Sequence, residues 1–296
     1  MMNSQQESCV GSQNIISNDY SLFHYHALKS FHEFDTDGLK SSLDNARGSV
    51  IKTLRNISLE SCKTVYPALS QLQMLREIEE LYFAEPDTYN LIIQKWRSQD
   101  SIGVNDFEYI EPILSQRAIL LQAKAVDDNK VIKDALVDTY LQVTELSEKD
   151  GYFQMAARAL GSLAKQVELP GKLSDILQYR EAMLSWMRGD QELGRHLLRN
   201  LIVKHSLSPH IHAQALTVYG NWMAETKSEN PQKVIEKYYS TALECGKNIE
   251  NPTNNDEKNL LNTQASLAQF ADTQYQQILT YLRSPQFESF KECIAY

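Results

Sequence analysis

The sequence predicts an all-α fold, an irregular tetratricopeptide-like solenoid of antiparallel helix pairs. Three observations carry this prediction. Apolar residues recur at helical spacing from about Tyr20 to the end, and no stretch alternates as a strand does. Gly (11) and Pro (8) are both scarce, which disfavours a turn-rich sandwich and a low-complexity chain. The helical stretches are joined by short polar breaks, the pattern of helix pairs that stack on one another.

Residues 1–20, MMNSQQESCVGSQNIISNDY, are rich in Ser, Gln and Asn, lack the apolar core of a secretory signal, and are expected to be poorly ordered. The helical-repeat domain is expected over 21–296, with sub-modules at 21–170 and 171–296. Helices are expected near 20–34, 36–56, 58–66, 67–84, 86–98, 105–126, 129–147 and 151–167. Pro67 divides two of them, because an interior proline loses a hydrogen bond and clashes with the preceding turn. In 174–188, Ser174 is a candidate N-cap, and Ile176, Met183, Leu184 and Met187 share one face. Gly189-Asp190 makes a break. In 191–204, Leu193, Leu197 and Leu201 recur every four residues. Ser208-Pro209 closes that helix and opens the next, in which Leu216, Tyr219, Gly220 and Met223 follow i, i+3, i+4, i+7. Asn230 caps the following helix and Pro231 takes its first position, where a missing N–H costs nothing. Over 232–246 the inward stripe is Val234, Ile235, Tyr238, Ala242 and Cys245, with Gly246 as the stop. After a polar loop, 257–283 is a long helix with Leu260, Leu267, Ala271, Ile278 and Leu282 on one face. Around 174–203 the pattern resembles one tetratricopeptide-like unit, although no regular period extends along the chain.

Composition excludes several functions. Net charge is -9 and the pI is near 5.3, which argues against direct nucleic-acid binding. Lys165, Lys172, Arg180, Arg188, Arg195, Arg199 and Lys204 raise the local basic density, but at the spacing of a solvated helix face. Cys9, Cys62, Cys245 and Cys293 form no CxxC pair, which points to a reducing compartment, and no apolar run is long enough for a membrane span. There is no GxGxxG and no GxxxxGK[ST]. Asp106-Phe107-Glu108 is not a DFG. His24-x-His26 and His210-x-His212 point about 200° apart on a helix, so neither pair chelates a metal. Glu77, Glu79 and Glu80 beside Arg76 read as a solvated face, whereas Trp222, Tyr238 and Tyr239 lie on apolar stripes and read as core. No catalytic, cofactor-binding or metal-binding residue is assigned. Seven Ser/Thr-Gln dipeptides begin at Ser4, Ser12, Ser70, Ser98, Ser115, Thr263 and Thr273. Ser4 and Ser12, in the polar terminus, are the candidate phosphorylation sites.

Three stretches carry a resemblance. One is Gly220-Asn221-Trp222-Met223-Ala224-Glu225-Thr226, continuing to Glu229-Asn230-Pro231. The second runs from Ser266-Leu267-Ala268-Gln269-Phe270 through Asp272-Thr273-Gln274-Tyr275-Gln276 to Ser284 and Phe287-Glu288. The third is Ser58-Leu59-Glu60-Ser61 followed by Tyr66-Pro67, Leu69-Ser70 and Leu72-Gln73. In order and separation they resemble the FAT region of the phosphatidylinositol-3-kinase-related kinases of the ataxia-telangiectasia mutated group, over about 20 to 290. The resemblance implies a partial helical-repeat collar that supports a kinase domain, packs on the remaining helical repeats of its parent, and contributes to a homodimer. It also implies other DNA-damage-response proteins as partners, a nuclear setting (cytoplasmic otherwise), and no membrane. In that family the kinase domain follows this region and phosphorylates Ser/Thr-Gln sites, so ATP and Mg would belong there and this chain is expected not to catalyse. Trp222 and Tyr275 are expected to anchor adjacent repeats. A self-contained tetratricopeptide-like adaptor is the other reading the residues leave open.

Overall fold

The computed structural model describes residues 4–57, 62–102, 107–125, 129–165, 171–204, 207–249 and 252–287. Among them every element is helical. In order they are α1 (Ser4–Glu33), α2 (Thr36–Asn56), α3 (Tyr66–Tyr82), α4 (Tyr89–Ile102), α5 (Phe107–Lys124), α6 (Lys130–Lys149), α7 (Phe153–Ala164), α8 (Gly171–Met187), α9 (Gln191–Ile202), α10 (Pro209–Thr226), α11 (Pro231–Lys233), α12 (Thr241–Lys247) and α13 (Asn254–Leu282). A π-helical segment, Val234–Ser240, joins α11 to α12 without a break, and 3-10 turns at Cys62–Thr64 and Pro86–Thr88 lead into α3 and α4. Of the helix expected over 58–66, residues 58–61 lie outside the described residues. α1 starts at Ser4, within the terminus assigned to 1–20, and its side chains are described from Asp19 onward.

The chain divides into two compact units, Met1–Leu163 and Ala164–Tyr296, a boundary a few residues ahead of the 170/171 division read from the sequence. In the first unit α1 pairs with α2, α3 with α5, and α5 with α6, while α4 packs on α6. Its core is built from Leu39, Leu43, Leu75, Ile78, Leu81, Trp96, Leu121 and Leu136. Val143 and Ala159 form a smaller cluster with Leu114. In the second unit α8 pairs with α9, and α10 packs against α8, α9, the π segment, α12 and α13.

One type of helix end recurs, with one anomaly. Four helices finish in a left-handed residue, after which a backbone N–H returns to a carbonyl five residues earlier. The bonds are Asp35 to Ser30 at 3.0 Å, Tyr152 to Ser147 at 2.8 Å, Asp190 to Ser185 at 3.0 Å and Ser228 to Met223 at 3.3 Å. Gly151 and Gly189 occupy two of the left-handed positions and Lys227 a third. The fourth holds Phe34, at φ 58.

One sequence expectation is corrected in the first unit, at a charged position. The Glu77 carboxylate is 1% exposed rather than solvated, because Arg117 of α5 reaches it with Nε at 3.0 Å and Nη2 at 2.6 Å. The same guanidinium also holds Asp100 of α4 at 2.6 Å and lies 5.1 Å from the Trp96 ring. Burial opposes the charge on Arg117, but the two carboxylates outweigh it and hold the guanidinium above its ordinary value. Glu79 and Glu80 behave more nearly as expected: Glu79 pairs with Arg47, and Glu80 accepts from Arg76, Lys95 and the Trp96 indole.

Two further corrections fall in the second unit. α8 begins at Gly171, so Ser174 is inside the helix and does not cap it. In α9 the inward residues are Gly194, Leu198 and Leu201, while Leu193 is 45% exposed. Gly194 sets that rotation, since a Cβ there would sit 3.1 Å from the Ala182 carbonyl oxygen and 3.2 Å from the Trp186 nitrogen. The missing side chain lets α9 lie against the α8 backbone.

Candidate interaction surface

Among the described residues no group of three His, Cys, Asp or Glu side chains is placed to hold a metal. The histidine pairs serve other contacts. His24 Nε2 is 2.5 Å from the Gln116 side-chain oxygen, and the Gln116 amide donates to the Met74 carbonyl at 2.8 Å. His210 Nδ1 lies 2.7 Å from Asp256, and His212 Nδ1 is 3.7 Å from the Cys245 thiol. Burial pushes the Cys245 thiol up, followed by the negative charge of Glu244, which leaves it a poor nucleophile.

The residues that stand out are those that assemble α8, α10, the π segment and α13. The Ser208 hydroxyl and Pro209 start α10, and the Asn230 side chain accepts from the Gln232 N–H to start α11 with Pro231 in its first turn. Trp222, 5% exposed on α10, stacks on Trp186 of α8 with ring centroids 4.2 Å apart and planes 4° from parallel. Gly220, two residues before Trp222 on α10, has no Cβ to meet Tyr238 Cβ and Tyr239 Cε1, each of which would lie at 3.2 Å. The wider π turn brings two consecutive tyrosines against α10, at 4% and 1% exposure. The Tyr238 hydroxyl donates to Glu229 at 2.9 Å and the Tyr239 hydroxyl to Asn221 at 2.7 Å. Burial, then the bond to Glu229, raises the Tyr238 phenol, and burial pushes Tyr239 up to about 12, so both remain hydrogen-bond donors.

α13 docks through its first half. Thr253 and Asp256 form a capping box, and the Thr217 and Thr263 hydroxyls meet at 2.8 Å between α10 and α13. Phe270 lies 6.0 Å from the Tyr239 ring. Burial raises the Asp256 carboxyl, but hydrogen bonds from Thr253 and His210 outweigh it and hold it below the usual carboxylate range. The second half differs. Tyr275, Ile278 and Tyr281 are 58%, 57% and 52% exposed, and Leu282 is 43% exposed. Of the two expected anchors, Tyr275 faces outward with this stripe and Trp222 is packed between α8 and α10. Ala271, Ile278 and Leu282, assigned to one face with Leu260 and Leu267, continue that face past the point where described residues cover it. Ser4 and Ser12 lie on the backbone of α1, with side chains outside the described set.

Comparison with known proteins adds to this geometry. The FAT domain family model matches residues 5–290, which takes in much of the terminus that sequence reading left outside. A serine-protein kinase ATM of Sus scrofa is 29% identical over 97% of this chain. Serine/threonine-protein kinases ATM of Drosophila melanogaster and Arabidopsis thaliana are 20% and 22% identical over 98% and 80% of it. The matches cover 10%, 12% and 7% of those relatives, so the chain spans about a tenth of their length.

Proposed function

The chain belongs to the FAT domain family, and from that premise we propose that it is a regulatory scaffold segment of an ATM-like serine/threonine kinase. In this reading it supports a kinase domain, packs on further helical repeats of the same protein and contributes to dimerisation, in the nuclear response to DNA double-strand breaks. Phosphoryl transfer to Ser/Thr-Gln sites, with its ATP and Mg, belongs to the kinase domain rather than to these residues. Ser4 and Ser12 are proposed targets of such a kinase.

The observation that supports this best is the apolar stripe on the second half of α13. A repeat in a stacked array buries only part of its apolar surface within itself and the rest against its neighbours. Tyr275, Ile278, Tyr281 and Leu282 present such a face, on a helix of 29 residues that spans about 44 Å at 1.5 Å per residue. The test is co-expression of this chain with a kinase-domain segment of an ATM-like protein, comparing wild type with Ile278→Glu/Tyr281→Glu. Association that the double substitution weakens about tenfold supports the scaffold reading. Absence of association, or association indifferent to those substitutions, rejects it.

A further inference from the structure

Phe34 is a bulky aromatic residue in a backbone conformation that favours glycine, and it is 74% exposed. The turn demands that conformation: Asp35 must return its N–H to Ser30, and only a left-handed residue at 34 allows it. Glycine does this job without steric cost at Gly151 and Gly189. Lys227 is explicable as a cation near a helix C-terminus, but phenylalanine offers the turn neither flexibility nor charge. Nor does the ring repay the strain by burial, since three quarters of it faces solvent. A strained position that keeps an exposed aromatic ring points to a use for that ring.

The surroundings define the use. Lys124 Nζ lies 6.0 Å from the Phe34 ring and 5.9 Å from the buried Phe31 ring. Phe31 packs on Tyr82 at 5.8 Å, Tyr82 packs on Phe83 at 5.0 Å, and Lys40 Nζ lies 5.6 Å from the Phe83 ring. Phe83 is itself 49% exposed. Phe83 is thus packed on a floor of Tyr82 and Phe31, and the Lys124 ammonium, near both the Phe31 and Phe34 rings, joins Phe34 to it, all within the first unit. Among the described residues neither Lys40 nor Lys124 has a carboxylate partner. The acids on either side of Phe34 in sequence have other contacts: Glu33 lies 3.8 Å from Lys29, and Asp35 caps α2 by accepting from Gly38 at 3.1 Å. Asp37 sits in the first turn of α2, where the helix dipole favours it.

We propose that this patch of Phe34, Phe83, Lys40 and Lys124 is a docking surface for an acidic peptide segment bearing an apolar side chain. The rings would take the apolar side chain, and the two unpaired ammonium groups would take flanking carboxylates, in a chain that is otherwise strongly acidic. This patch shares no residue with the α13 stripe, so either can fail without the other.

The test uses the 296-residue chain and a fluorescein-labelled twelve-residue peptide of Asp and Glu around a central Phe-Leu, followed by anisotropy. One control peptide replaces the acids with Lys, and another replaces Phe-Leu with Ala-Ala. The expected result is saturable binding of the acidic apolar peptide alone. Phe34→Gly should weaken it about tenfold while Tm stays level or rises, and Lys40→Glu/Lys124→Glu should weaken it comparably. The proposal is overturned by no saturable binding, by equal binding of either control, or by indifference to both variants. It is also overturned if Phe34→Gly lowers Tm by more than roughly 2 °C, the scale of 1 kcal/mol in a chain of this size, because the ring would then be retained for packing.

Discussion

At the scale of single residues, the buried ionic group of the first unit is the most exacting feature. Arg117 is 4% exposed in its side chain and neutralises two carboxylates, at 1% and 9% exposure, from two other helices. Removing it would leave two buried negative charges with no partner. Arg117→Ala should therefore cost about 3–5 kcal/mol, measured by denaturant unfolding, with a larger effect than Glu77→Gln, which leaves the guanidinium paired with Asp100. An Arg117→Ala protein of unaltered stability would show that water reaches the group. Acid stability is set elsewhere. Burial holds His24 and His212 below the ordinary value of 6.5, with a hydrogen bond to Gln116 opposing it at His24. A base whose folded pKa is depressed takes up protons more readily when unfolded. Its contribution is thus intact above 6.5 and declines as pH falls through that value. Tm should fall between pH 7.5 and 5.5, and His212→Gln should flatten part of that slope; an unchanged slope would remove His212 from the account. These residues were poorly legible in the sequence. Glu77 sits in a run of four charged residues within five positions, Arg76 to Glu80, and periodicity gave no sign that its partner lay forty residues downstream.

At the scale of elements, apolar spacing located almost every helix, and its failures have a common physical cause. Leu216, Tyr219, Gly220 and Met223 of α10 all face inward as the spacing requires. In α9, by contrast, the leucine repeat pointed to Leu193, yet the helix is rotated toward Gly194. Hydrophobicity scores what a side chain adds, and cannot score a contact made possible by the lack of one. The π segment raises the same issue. A regular helix over 232–246 explains Val234 and Tyr238, but burying Tyr239 beside Tyr238 takes the wider turn and the space over Gly220. This yields a test with an unusual sign. On an open helix face Gly→Ala is stabilising by about 1 kcal/mol. At Gly220 the new methyl would press on both tyrosines at 3.2 Å, so Gly220→Ala should instead destabilise, and Gly220→Val should cost about 1–3 kcal/mol by thermal or chemical unfolding. A stabilised Gly220→Ala protein would mean that the π turn yields easily.

At the scale of the whole molecule, the two open surfaces differ in the force that would fill them, and salt separates them. The α13 stripe is apolar: Tyr275, Ile278, Tyr281 and Leu282 are largely exposed, although the Phe287 ring packs edge-on against Tyr281 at 5.6 Å. Association through it, with a second copy or a further repeat, would be driven by removing apolar area from water, at about 25 cal/mol per Å² before the cost of immobilising two bodies. Excluded salts such as sulfate strengthen that term. The Phe34 patch adds two ammonium groups, and attraction between exposed charges is screened over about 10 Å at 0.1 M ionic strength. The chain at tens of micromolar should therefore self-associate more strongly as sulfate is added, read as weight-average mass in sedimentation equilibrium. Ile278→Glu/Tyr281→Glu should hold it monomeric under the same conditions, whereas Phe34→Gly should leave its mass unchanged. Acidic-peptide binding should move the opposite way, weakening as sodium chloride rises from 0.05 to 0.5 M. If self-association weakened with sulfate, charge rather than apolar area would dominate the α13 contact, and the stacking argument for this helix would fail.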